Sequence, residues 1–138
     1  GFEPEVYLLS DYGYPGYANM ILTRDETIAG DPALVADFVW ASRLGWHDYL
    51  TGDPTPGNEL IKRDNPEMTD DVLAQAIVLL RENGIAGDVA LGAGVIGPMT
   101  DERWKEFFTL MAGNAVYPVD LDYTRAFATE FTPPLPAE

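Results

Sequence analysis

Apolar residues follow two different spacings along this chain. Val6-Tyr7-Leu8-Leu9 is a short unbroken run, and Met20-Ile21-Leu22-Thr23 is another, with a turn rich in glycine and proline between them. Short apolar runs bounded by turn residues predict strands, so a strand pair is expected to flank residues 11–19, the first strand buried on both faces. From residue 31 the spacing becomes helical. Asp31 can accept from the free amides of a first turn, and Pro32 gives up only a donor that had no partner, which predicts a helix to about Leu50. Val35, Phe38, Val39, Ser42, Trp46 and Tyr49 make its expected core-facing side, with Asp37, Arg43 and Asp48 off it. Gly45 inside that helix predicts a close approach by another element, or a kink.

Pro56 and Gly57 disfavour helix, so one or two turns are expected before Arg63. Thr69 then caps a helix that runs to Asn83, with Gly84 as its stop and Val72, Leu73, Ala76, Ile77 and Leu80 as its buried stripe. The glycine-rich stretch from Ile85 to Met99 reads as loop, with a short extended piece at Val89-Ala90-Leu91. Thr100 caps a further helix that Gly113 stops, and Trp104, Phe107, Phe108 and Met111 form its apolar face. A last short helix from about Asp122 to Phe131 precedes a proline-rich tail, 132–138, expected to fray.

Composition narrows the function classes. A chain of 138 residues fits one domain, and its 46% hydrophobic share is that of a folded protein. The formal net charge of -15 repels phosphate backbones and anionic lipid heads, which excludes nucleic acid as a partner class. With no cysteine there is no disulfide, thiolate nucleophile or cysteine-bound zinc. The single histidine, His47, has no second histidine or cysteine to share a transition metal, so no metal site and no cofactor are expected. Gly92-Ala93-Gly94 lacks the lysine and the spacing of a phosphate loop. Trp40, Trp46 and Trp104 fall at positions that read as core. No apolar run approaches a membrane span, and the start, Gly1-Phe2-Glu3-Pro4, has no basic segment, so a processed or excised piece without a signal peptide is expected.

The chemistry concentrates in Asp11-Tyr12-Gly13-Tyr14-Pro15-Gly16-Tyr17-Ala18-Asn19. Gly13 and Gly16 permit unusual backbone angles, and Pro15 stiffens the turn. Three phenol rings held on a stiff loop suit a flat aromatic ligand, each offering an apolar face and one hydroxyl.

Glu3-Pro4, the tyrosine turn, Asp31-Pro32-Ala33-Leu34-Val35 and Ala41-Ser42-Arg43-Leu44-Gly45-Trp46 together resemble the NMT1/THI5-like solute-binding proteins of ABC importers. Ile96-Gly97-Pro98-Met99-Thr100-Asp101-Glu102-Arg103-Trp104 resembles that family's G-x-M-x-x-E-R-W segment. The resemblance spans nearly the whole chain and covers about the C-terminal half of such a protein. It implies an α/β fold: the helix-rich C-terminal part of a two-lobe periplasmic binding protein type II architecture, with the strand pair flanking the tyrosine turn. It also implies capture of a small flat heterocycle, such as a thiamine-precursor pyrimidine, and delivery to a membrane permease, with the intact protein periplasmic or anchored outside the membrane. Tyr12, Tyr14 and Tyr17 would line the cleft, and Asn19 and Glu3 would anchor ring nitrogens. A homodimer, or a partner fragment that completes the missing lobe, would cover the exposed surface. The enzymes of the same family's eukaryotic branch use a histidine and a cysteine-rich motif. This chain has no cysteine and His47 lies outside that motif, so an enzyme is not expected; a structural fragment that binds nothing is the other alternative.

Overall fold

The computed structural model describes Glu5 and residues 7–132. Among them are five α-helices: α1 (Asp25–Gly30), α2 (Pro32–Thr51), α3 (Thr55–Asp64), α4 (Asp70–Glu82) and α5 (Asp101–Gly113). Short 3-10 turns occupy Leu9–Tyr12, Val89–Leu91, Ala93–Val95, Tyr123–Ala126 and Thr129–Phe131. The described residues divide into two compact units, one from Glu5, 7–22 and 99–130, the other from 23–98 with 131 and 132.

No β-strand occurs among the described residues, which overturns the expected α/β fold and its strand pair. Val6 lies outside the described residues; Tyr7 and Leu8 are irregular, and Leu9 opens a 3-10 turn. That turn is closed by the Asp11 amide donating to the Leu8 carbonyl at 3.0 Å and the Gly13 amide to Ser10 at 3.1 Å. Met20, Ile21 and Leu22 are irregular and exposed, Leu22 to 94%. Two short runs with no third strand between or beside them form at best a marginal sheet, and here the local turn bonds prevail.

The helix starts written in the sequence are present. The Asp31 carboxylate accepts from the Leu34 amide at 3.0 Å, Thr69 from Val72 at 3.3 Å and Thr100 from Arg103 at 3.2 Å. α3 is longer than one or two turns, because Pro56 falls in its first turn, where the missing amide had no partner. Lys62 on α3 reaches Glu59 and, across to α4, Asp70, both at 2.7 Å. These carboxylates raise the Lys62 pKa above its ordinary value, so the link holds below pH 10.5 and is lost as pH rises through the folded value.

The buried apolar side chains, Val35, Val39, Leu50, Leu73 and Ile96, all belong to the second unit. α2 is therefore turned differently from its expected face. Arg43, placed off that face by its charge, is buried beside Val39 in the spacing 35, 39, 43, 50, while Phe38 and Trp46 are exposed. Apolar residues lie on nearly every side of α2, so periodicity alone could not select the side that packs. Trp40 is also about half exposed, contrary to its core reading, and nothing approaches the position where a Gly45 side chain would begin.

Val89–Leu91 is a 3-10 turn instead of an extended piece, and with Ala93–Val95 it packs on α2. The expected helix from Asp122 to Phe131 is two 3-10 turns separated by Phe127 and Ala128, with the Phe127 backbone extended at φ -148°, ψ 161°. Asp122 turns its carboxylate onto Thr124, and Phe127 swings its ring flat against Trp104; both compete with a continuous helix. Thr132, the first residue of the expected tail, is buried, and 133–138 lie outside the described residues.

Gly113 is the last residue of α5, and Ala115 is the one that turns left-handed, at φ 56°. Ala115→Gly should raise stability by about 1 kcal/mol, since glycine carries no side-chain penalty there. Urea denaturation checks this, and also a contrast within the core. Leu50→Ala or Leu73→Ala, each removing a side chain no more than 2% exposed, should cost about 2–5 kcal/mol. Leu22→Ala should change stability by less than about 0.5 kcal/mol.

Candidate functional site: a tyrosine turn held by Arg103

The first unit is organised by aromatic rings. Trp104 of α5 stacks on Phe127 at 4.9 Å and 5°, and Phe108 on Tyr123 at 4.6 Å and 17°. Phe107 meets Trp104 edge-on at 6.2 Å and receives Tyr14 edge-on at 5.9 Å. Tyr17 tilts against Trp104 at 5.5 Å. Such pairs contribute about 0.5–1.5 kcal/mol each beyond the area they bury. They tie residues 14–17 to α5 across more than eighty positions of sequence.

Arg103 completes the attachment. Its Nε donates to the Pro15 carbonyl at 2.7 Å and its Nη2 to the Gly16 carbonyl at 3.1 Å. The guanidinium carbon lies 4.3 Å from the centre of the Tyr17 ring, where the π face attracts a cation. The Tyr17 hydroxyl accepts from the Thr100 amide at 3.0 Å, beside the cap of α5. Two successive carbonyls and one ring are thus fixed by a single side chain, which is how a loop without secondary structure acquires a defined shape.

Against this attachment lies an open recess of about 480 Å³, lined by Ser10, Gly13, Tyr14, Pro15, Arg103, Glu106 and Leu110. It presents one phenol, one guanidinium, one carboxylate and one hydroxyl around an apolar floor. Gly13 takes the left-handed conformation expected of it, at φ 82°. Gly16 does not; its lack of a side chain serves the Tyr14 ring, which occupies the space where a Cβ would stand.

No protein-family model, no curated protein and no solved structure matches the chain.

The five residues expected to bind ligand separate. Tyr14 lines the recess. Tyr17 sits next to it and is committed to Arg103, Trp104 and Thr100. Tyr12 is 71% exposed and outside the recess, 6.3 Å from the ring of Tyr7. The Tyr7 hydroxyl donates to Glu5 at 2.7 Å, and that carboxylate raises the phenol's pKa above its ordinary value. Asn19 is exposed beyond the turn and does not line the recess. Glu3 lies outside the described residues.

Sequence reasoning missed Arg103 and Glu106 as site residues. The available signal was an arginine next to a tryptophan in a chain with only eight basic residues, one helical turn before a glutamate. His47, on α2, has its ring near Thr51 and Asp48, at 3.5 and 3.7 Å, and no group of three metal-ligating side chains forms among the described residues.

Arg103→Met should release the turn. Amide hydrogen exchange at Tyr14 and Thr100, whose amides donate to the Leu9 carbonyl and the Tyr17 hydroxyl, is expected to accelerate at least tenfold, with α4 amides unchanged. Equal protection in the variant would mean that the aromatic contacts alone hold the loop.

Proposed function

We propose that this chain is the solute-capturing part of an ABC importer's binding protein, and that it takes a small flat heterocycle of the thiamine-precursor pyrimidine kind in the recess beside Tyr14. The observation that carries the reading is that a phenol ring and charged groups of both signs line one open recess of about 480 Å³. In this reading the ligand ring lies against Tyr14. Glu106 accepts from a ring amino group, Arg103 faces an electron-rich edge, and Ser10 serves a ring nitrogen. Tyr17 acts indirectly, by holding the turn.

The ordered motifs that resemble the solute-binding family support delivery to a permease and a location outside the cytoplasm as parts of the same proposal. No helix among the described residues is long and apolar enough to cross a membrane. Large apolar side chains left in solvent, among them Tyr12, Phe38 and Leu22, support coverage by a second chain. An enzyme of the pyrimidine-synthesising kind is disfavoured by the absence of cysteine.

Isothermal titration with a thiamine-precursor pyrimidine, and with a flavin for comparison, tests the proposal. Tyr14→Ala should weaken binding at least about tenfold, a loss on the order of 1.4 kcal/mol, and Glu106→Gln should weaken it as well. Tyr12→Ala should leave it unchanged. Absence of binding by the unaltered chain, or equal losses from Tyr12→Ala and Tyr14→Ala, would refute the assignment.

A further inference from the structure

Arg43, in the second unit, has one guanidinium edge with no hydrogen-bond acceptor among the described residues. The residue is only 6% exposed, and its Nε and Nη2 are both sealed from solvent without a hydrogen-bond acceptor among the described residues. Burial lowers its pKa from the ordinary value, the expected response of a cation removed from water. The guanidinium lies near a ring, its Cζ 6.0 Å from the centre of Trp40.

The identity of the two unmet nitrogens is informative. Nε and Nη2 share one edge of the planar guanidinium, where two N–H bonds point the same way and match the two oxygens of a carboxylate. In Arg103 that same edge is filled by the carbonyls of Pro15 and Gly16. In Arg43 it is empty, in a chain with 23 acidic residues, none of which reaches it among those described. A buried charge left unpaired is strongly unfavourable, so a position that keeps an arginine fork there is one built to be filled.

We propose that Arg43 is the receptor for the carboxylate of a small solute, bound bidentately on its Nε–Nη2 edge beside Trp40. α3 touches α2 through Tyr49, whose hydroxyl donates to Asn58 at 2.8 Å, and α1 and the two turns Val89–Leu91 and Ala93–Val95 also pack on α2 in this unit. The latter two are joined at Gly92, with Gly87 and Gly97 on either side, and all three glycines have positive φ. This site belongs to the second unit and is independent of the tyrosine turn.

The test is thermal denaturation of the full chain in succinate against chloride at equal ionic strength, with tryptophan fluorescence followed in parallel. The unaltered protein should melt higher in succinate and change its emission. Arg43→Lys retains the charge and loses the planar fork, and its apparent affinity for succinate should fall about tenfold or more. Arg43→Met should lose the response and melt in chloride no lower than the unaltered protein, because an unpaired buried charge has been removed. No succinate response in the unaltered chain, or an equal response in Arg43→Lys, overturns the proposal. So does a dimer that dissociates in Arg43→Met while the unaltered protein ignores free succinate, since the carboxylate would then come from another copy. Should Arg43→Met fail to fold, the lysine variant carries the test alone.

Discussion

The fork of Arg103 on the Pro15 and Gly16 carbonyls is the contact on which the candidate site depends. A turn without secondary structure would otherwise sample many shapes, and its rings would present no fixed face. Charge-assisted hydrogen bonds to two adjacent carbonyls remove that freedom at the backbone, and the Tyr17 ring beneath the guanidinium removes it at a side chain. Thr100 links this to helix chemistry, because its hydroxyl caps α5 and its amide binds the Tyr17 hydroxyl. The N-terminus of α5 and the shape of the turn are thereby one structural decision.

The two units of the chain are stabilised by different means. Residues 23–98 bury aliphatic side chains, Leu50 and Leu73 most completely, and α2 carries much of that surface. Residues 7–22 and 99–130 have no comparably buried aliphatic residue and rely on stacked and edge-on rings. Rings packed this way are directional, so they orient neighbouring groups as well as hold them. A recess whose walls are rings and one arginine follows from that second kind of packing. The two arginines illustrate the difference: Arg103 gives its Nε and Nη2 to carbonyls of its own chain, while the same two nitrogens of Arg43 have no acceptor among the described residues.

Helix capping was the most legible feature of the sequence. Asp31, Thr69 and Thr100 each bond the amide three residues on, a local event that tertiary packing does not alter. Strand formation was not legible, because a strand exists only through a partner and the runs at 7–9 and 20–23 have none among the described residues; the turn bonds around Leu9 to Tyr14 are local and prevail. The packed side of α2 was hidden for another reason. With apolar residues on nearly every side of α2, periodicity did not select the side that packs, and charge misled the placement of Arg43. At the site, the tyrosine turn was visible from its composition, but its division of labour was not. Which ring lines the recess and which anchors the turn is set by Arg103, 86 residues beyond Tyr17 (103 − 17).

The most direct test of the central claim is a two-dimensional amide NMR titration of the full chain with a thiamine-precursor pyrimidine. The account predicts that shifts concentrate on Gly13 to Tyr17 and on Arg103 to Leu110, with amides of α4 unmoved. Shifts confined to residues 35–96, or a spectrum unchanged at saturating ligand, would contradict it.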